Sequence, residues 1–198
     1  MNNALDAGID CLEHAVFLDG AGALTFDAAL ADRIAGAGIF VSATLQEAYR
    51  GLAALDEDSN RLSIEERDTL IALRERKHGN IRNAARLRAA GVRLVVSSDA
   101  GSRVTPHGDL AFGVELVLQA GMSLPEAVAA ATGVAAEGAG IAQTVGTLAP
   151  GKMADVLIVH GDVTADVKAL ARVRAVFQAG ALVAERMLIP AVGSEHRG

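Results

Sequence analysis

The chain has one cysteine, Cys11, so an internal disulfide is excluded. A single thiol in the apolar run "IDCLEH" reads as a small buried hydrophobe and suits a reducing, cytoplasmic compartment. There is no tryptophan, and aromatic residues make up 3% of the sequence, which argues against base-stacking platforms. Basic residues are in deficit: 18 Lys and Arg against 24 Asp and Glu give a formal net charge of -6. That balance argues against a nucleic-acid partner held through phosphates. No apolar run approaches the roughly 20 residues that span a bilayer. The start, "MNNALDAGID", carries neither a basic segment nor an apolar one, so no secretory signal is expected there.

What is present is a soluble, globular composition: 51% hydrophobic and 21% charged over 198 residues. Along the chain, "ALDAG" reads as a last helical turn closed by Gly8. An apolar strand follows at Ile9 to His14. Thr25 is expected to cap a helix reaching Ala35, and "IFVSATL" (39–45) reads as a second strand. "QEAYRGLAALDEDSNR" reads as a polar loop, its acidic residues Glu47, Asp56, Glu57 and Asp58 forming a solvated surface. Ser63 with Glu66 makes a capping box for a long helix to Ala90, with a break expected at Gly79. "RLVVSSDAGS" (93–102) is the third strand, ending in Asp99. A helix over Asp109 to Ala120 follows, then one opened by the Ser123–Glu126 capping box with Pro125 in its first turn.

The pattern changes near Gly140. "TVGTLAPGKMADVLIVHGD" has the turn glycines and alternation of β structure, and "RVRAVFQAGALVAE" reads as a hairpin turning at Ala179-Gly180. Two units are therefore expected, 1–140 and 141–198. Alternating strands and helices in the first imply βαβ units and a parallel sheet, an α/β class.

His14 and Asp99 occupy equivalent places, each at the C-terminal end of an apolar strand. Ligands of parallel α/β folds bind at that edge. Imidazole and carboxylate suit a divalent metal. A lone strand-end His is also an ordinary hydrogen-bonded residue, and a lone strand-end Asp an ordinary turn or cap residue. Spacing alone leaves both readings open.

The ordered set "AGIDCLEHAVFLD", "AGVRLVVSSDAG", "PHGDLAFGVELVLQAGMSLPEAVAAAT" and "VGTLAPGKMADVLIVHGD" resembles the C-terminal half of a metal-dependent amidohydrolase. The imidazolonepropionase-like and prolidase-like branch is the nearest. The resemblance implies the last three strands or so of a (β/α)8 barrel, followed by part of a small β-sandwich. It implies that His14 ends the sixth barrel strand and binds metal. Asp99 would end the eighth strand, bind metal, and act catalytically on the proton of the attacking water. His107 would touch substrate from the following loop. The implied cofactor is a divalent metal, zinc above all. The implied reaction is hydrolysis of a C–N bond in a small amide, such as an Xaa-Pro dipeptide, another N-acyl amino acid or a cyclic amide.

The sequence departs from that pattern in a definite way. It contains no His-x-His pair, and Lys77, Lys152 and Lys168 all lie beyond the place of a bridging lysine. His78, His160 and His196 are expected to be solvated. Two of the family's metal ligands at most are present. Three strands without neighbours leave unpaired edges, so self-association or pairing with a missing N-terminal half is expected. The alternative is a non-catalytic remnant serving as a subunit or binding module.

Overall fold

A computed structural model describes residues 1–15, 17–42, 44–56, 63–101 and 105–185. Glu57, Asp58 and His196 lie outside the described residues. The chain is mixed α/β with two three-stranded sheets. A short helix α1 (Asn2–Asp6) leads to strand β1 (Cys11–Glu13), helix α2 (Ala28–Gly36) and strand β2 (Phe40–Ser42). Helices α3 (Gln46–Asp56) and α4 (Ile64–Ala89) precede strand β3 (Arg93–Val95). Helices α5 (Leu110–Gln119), α6 (Leu124–Ala131) and α7 (Gly133–Gly138) follow. The chain continues as β4 (Val156–Val159), a 3-10 helix (Val167–Ala171), β5 (Val173–Gln178) and β6 (Ala181–Glu185).

Sheet β1-β2-β3 is parallel and in register, so Leu12, Val41 and Leu94 lie side by side. That row is buried against Leu30 and Ile34 of α2, Leu87 of α4 and Leu116 of α5. Sheet β4-β5-β6 is antiparallel. Its hairpin turns where Ala179 (φ 50°) and Gly180 (φ 82°) both adopt left-handed backbone, the requirement of a type I′ turn. Val167 and Leu170 of the 3-10 helix pack on the core of the first sheet.

Both capping boxes form: Ser63 with Glu66, and Ser123 with Glu126. Helix α2 starts later than expected, because Asp27 rather than Thr25 accepts from the Leu30 N–H, at 3.0 Å. Helix α4 runs unbroken through Gly79. That glycine is there for packing: a Cβ on it would lie 2.1 Å from Leu24 Cδ2.

The larger correction concerns 46–56, read as a loop and found as helix α3. Leu45, Ala48 and Leu52 are buried at helical spacing, and this apolar stripe outweighs the polar residues and Gly51 between them. An Arg50–Asp109 ion pair ties α3 to the start of α5, with bonds of 2.8 and 2.5 Å.

Candidate functional site

The three parallel strands end on one edge, and the chain does something unusual at each end. His14, one residue past β1, has φ 52°; Thr44, just past β2, has φ 43°; Asp99, past β3, has φ 51°. Left-handed backbone at non-glycine residues costs about 1–2 kcal/mol each, and a β-branched threonine there is a true outlier. Three adjacent strand ends share it, so the surrounding structure holds all three against their local preference.

The side chains converge. His14 Nδ1 lies 3.2 Å from Thr44 Oγ1 and 3.9 Å from Asp99 Oδ2. The first is a hydrogen bond; the second is too long for one. Metal–nitrogen and metal–oxygen bonds of about 2.0–2.2 Å sum to roughly 4.2 Å, so one divalent cation is within reach of both atoms. The side chains are 53% and 39% exposed, so the pair faces solvent.

His107 sits on the same rim. The Gly101 N–H donates to Thr105 O at 3.1 Å, which holds the start of the 105–109 stretch beside Gly101. A Cβ on Gly101 would lie 3.5 Å from His107 Nε2, which places that imidazole over the chain two residues past Asp99.

Thr44 escaped the sequence reading, because its bond to His14 spans 30 residues. So did Ser42, fully buried and hydrogen-bonded to Ser97 across β2 and the chain following β3. Gln46 is 1% exposed, its amide lies against Gly113, and its Nε2 has no hydrogen-bond partner among the described residues. A glutamine opening a segment read as loop gave no signal of burial.

Cys11 is no nucleophile. Burial and its bond to Glu13 push the thiol up to about 12, so it stays protonated at neutral pH. His78 donates to the Arg74 carbonyl of its own helix, and His160 is exposed at the end of β4. Lys77 lies over the Tyr49 ring, and Lys152 donates to Val145 O. Among the described residues, no three His, Cys, Asp or Glu side chains come together to hold a metal ion. The His14–Asp99 pair thus has the right donor chemistry but falls short of the three protein ligands usual in a catalytic zinc site.

The sequence profile of the Amidohydrolase family matches residues 1–183. The chain belongs to the amidohydrolase family. A comparison with curated proteins gives no match. Among solved structures, this amidohydrolase chain is similar to a Xaa-Pro dipeptidase with methionine bound in its active site, at 23% identity and a TM-score of 0.74. That match covers 93% of this chain and 42% of the dipeptidase. It is also similar to the A. niger ochratoxinase (25% identity, TM-score 0.68, 90% of this chain and 38% of that one). Phenylurea hydrolase B matches at 22% identity and a TM-score of 0.68, over 92% of this chain and 40% of that one. The chain spans less than half the length of each of these proteins. Among the described residues, no helix is long and apolar enough to cross a membrane.

Proposed function

We propose that this chain supplies His14 and Asp99 to the divalent-metal centre of a hydrolase that cleaves a C–N bond, the remaining donors coming from a further stretch of polypeptide. The observation that carries this reading is the 3.9 Å approach of the two side chains at neighbouring strand ends. Family membership and the hydrolase neighbours support it. In this reading the parallel sheet is the last part of a (β/α)8 barrel and residues 141–185 belong to a small β-sandwich unit. Zinc fits the imidazole and carboxylate donors, and such a cation lowers the pKa of bound water to about 7.

The chain's own residues have separate tasks. Thr44 Oγ1, 3.2 Å from His14 Nδ1, holds the imidazole in place at the strand end beside Asp99. Asp99 takes the proton of the attacking water on a carboxylate oxygen and delivers it to the leaving nitrogen. His107, on the rim beyond Gly101, contacts a small amide or dipeptide-like substrate.

Cobalt(II) titration followed by visible absorption tests the donor pair in this chain. A spectrum that disappears in both His14→Ala and Asp99→Ala supports it; a spectrum unchanged in both overturns it. The hydrolytic reading is tested on the polypeptide translated with its upstream in-frame codons. Turnover of Xaa-Pro dipeptides or N-acyl amino acids that is lost in Asp99→Asn supports it, and no turnover of either class overturns it.

A second reading, a non-catalytic subunit or binding module, is favoured by one observation. Leu157, Leu182 and Val183 of the second sheet are each more than half exposed. A stable monomer in light scattering would count against pairing through that sheet.

A further inference from the structure

Between Thr105 and the start of α5 the chain is held at both ends and open in the middle. At the near end Thr105 is 1% exposed, and its carbonyl accepts from the Gly101 N–H at 3.1 Å. At the far end stands Asp109, the residue before α5. Pro106, His107 and Gly108, between them, are exposed. The His107 ring lies over Gly101. Its place on the rim is therefore set by what holds Thr105 and what holds Asp109.

Asp109 occupies the N-cap position of α5, where an aspartate ordinarily accepts a hydrogen bond from the second or third N–H of its helix. Here its side chain makes no such bond. It turns instead to Arg50 of α3, accepting from Nε at 2.8 Å and from Nη2 at 2.5 Å. Two parallel N–H···O bonds fix the plane of the carboxylate as well as its distance. The guanidinium is seated in turn, its Cζ 4.4 Å from the centre of the Phe112 ring in the first turn of α5. The Asp109 side chain is 12% exposed, so its charge is held mostly out of water and depends on that partner. Forgoing the cap is a local loss of stability. What the residue supplies in exchange is a rigid link from α3, which starts just past the end of β2, to the stretch that carries His107.

We infer that Arg50 is a positioning residue: through Asp109 it holds His107 on the rim of the strand ends, where that imidazole meets a small amide substrate. The substrate half of this inference rests on the hydrolytic reading above; the tether rests on the geometry alone. Arg50 acts through His107 and takes no part in bond breaking. The fork is what matters, because a lysine offers a point charge that fixes no plane.

The first test needs no turnover. In the 198-residue chain the His107 ring gives a carbon–proton NMR signal, assigned by its loss in His107→Gln. Arg50→Ala and the isosteric Asp109→Asn are each expected to shift or broaden that signal and to leave the His160 signal in place. A His107 signal unmoved in both variants overturns the inference. Equal movement of the His160 signal would mean a general loosening and overturns it too. The second test uses the polypeptide translated with its upstream in-frame codons, assayed on Xaa-Pro dipeptides and N-acyl amino acids. Arg50→Ala is expected to raise KM roughly tenfold with kcat nearly unchanged, and Arg50→Lys to recover part of that loss. In a His107→Ala background, Arg50→Ala is expected to raise KM no further. A fall in kcat at unchanged KM, or a full additional rise of KM in that background, overturns the inference. Absence of turnover by the unsubstituted polypeptide overturns the hydrolytic reading alone, and the NMR signal then decides the tether.

Discussion

The two sheets of this chain have the same number of strands and opposite relations to water. In the parallel sheet, Leu12, Val41 and Leu94 are 7%, 0% and 5% exposed. In the antiparallel sheet, Leu157, Ile158 and Leu182 are 51%, 44% and 51% exposed. Parallel strands need crossover helices, and those helices bring the apolar cover with them. The antiparallel sheet is joined by a tight turn and a 3-10 helix, which covers little: of its strand residues, Ala175 alone is buried. A chain can thus be well packed in one half and present bare hydrophobic surface in the other.

The sharpest way to break this contrast is a pair of truncations. Leu116→Ala, at a fully buried position, is expected to lower stability by about 3 kcal/mol, whereas Leu182→Ala is expected to change it by less than about 0.5 kcal/mol. Urea denaturation reads both. Equal losses would mean that the second sheet is covered in solution. Next in size is Gly146→Ala, on the stretch leading from α7 to the second sheet. A Cβ there would lie 2.6 Å from Ala136 Cβ on a residue with φ 90°. Overpacking and left-handed backbone together are expected to cost about 2–3 kcal/mol, seen as a lower Tm.

A smaller effect separates site from scaffold within the first sheet. Asp99→Gly is expected to be about 1 kcal/mol more stable than Asp99→Ala, because glycine alone accepts φ 51° freely. Parity between the two would show that the strand end relaxes when the carboxylate goes. Smallest is the turn of the second sheet: Ala179→Asn is expected to stabilise by a few tenths of a kcal/mol, since asparagine tolerates left-handed backbone better.

Acid adds a test at one helix start of the first region. The Ser123 N–H and hydroxyl, with Arg88, hold the Glu126 carboxyl at about 2, below its ordinary 4.5. A depressed folded-state value contributes stability above the unfolded value, and that contribution is lost as pH falls through the folded one. Stability is therefore expected to decline between pH 4.5 and about 2, and Glu126→Gln is expected to flatten that decline.

Local chemistry was readable in the sequence, and contact between distant residues was not. Both capping boxes, the Gly8 stop and the Ala179-Gly180 turn each depend on residues a few positions apart, and each formed. Strand ends were also readable, which is why His14 and Asp99 stood out. Helix α3 was hidden because its stripe of Leu45, Ala48 and Leu52 is thin and interrupted by charge, although the spacing was there to be counted. The Arg50–Asp109 pair spans 59 residues and the Thr44–His14 bond 30, so only folding reveals them. Gly79 was misjudged in an instructive way: a glycine in a helix signals a break locally, but here it is a seat for a leucine from elsewhere.

The raised thiol of Cys11 makes the chain its own stopwatch. With the value raised to about 12, the thiol is ionised far less often at pH 7 than that of a free cysteine. An alkylating reagent therefore meets a nearly silent target while β1 keeps its place beside β2. Each time that strand lets go, the reactivity of an ordinary thiol returns. With no second cysteine to confuse the signal, the rate of labelling counts the openings of the strand that carries His14.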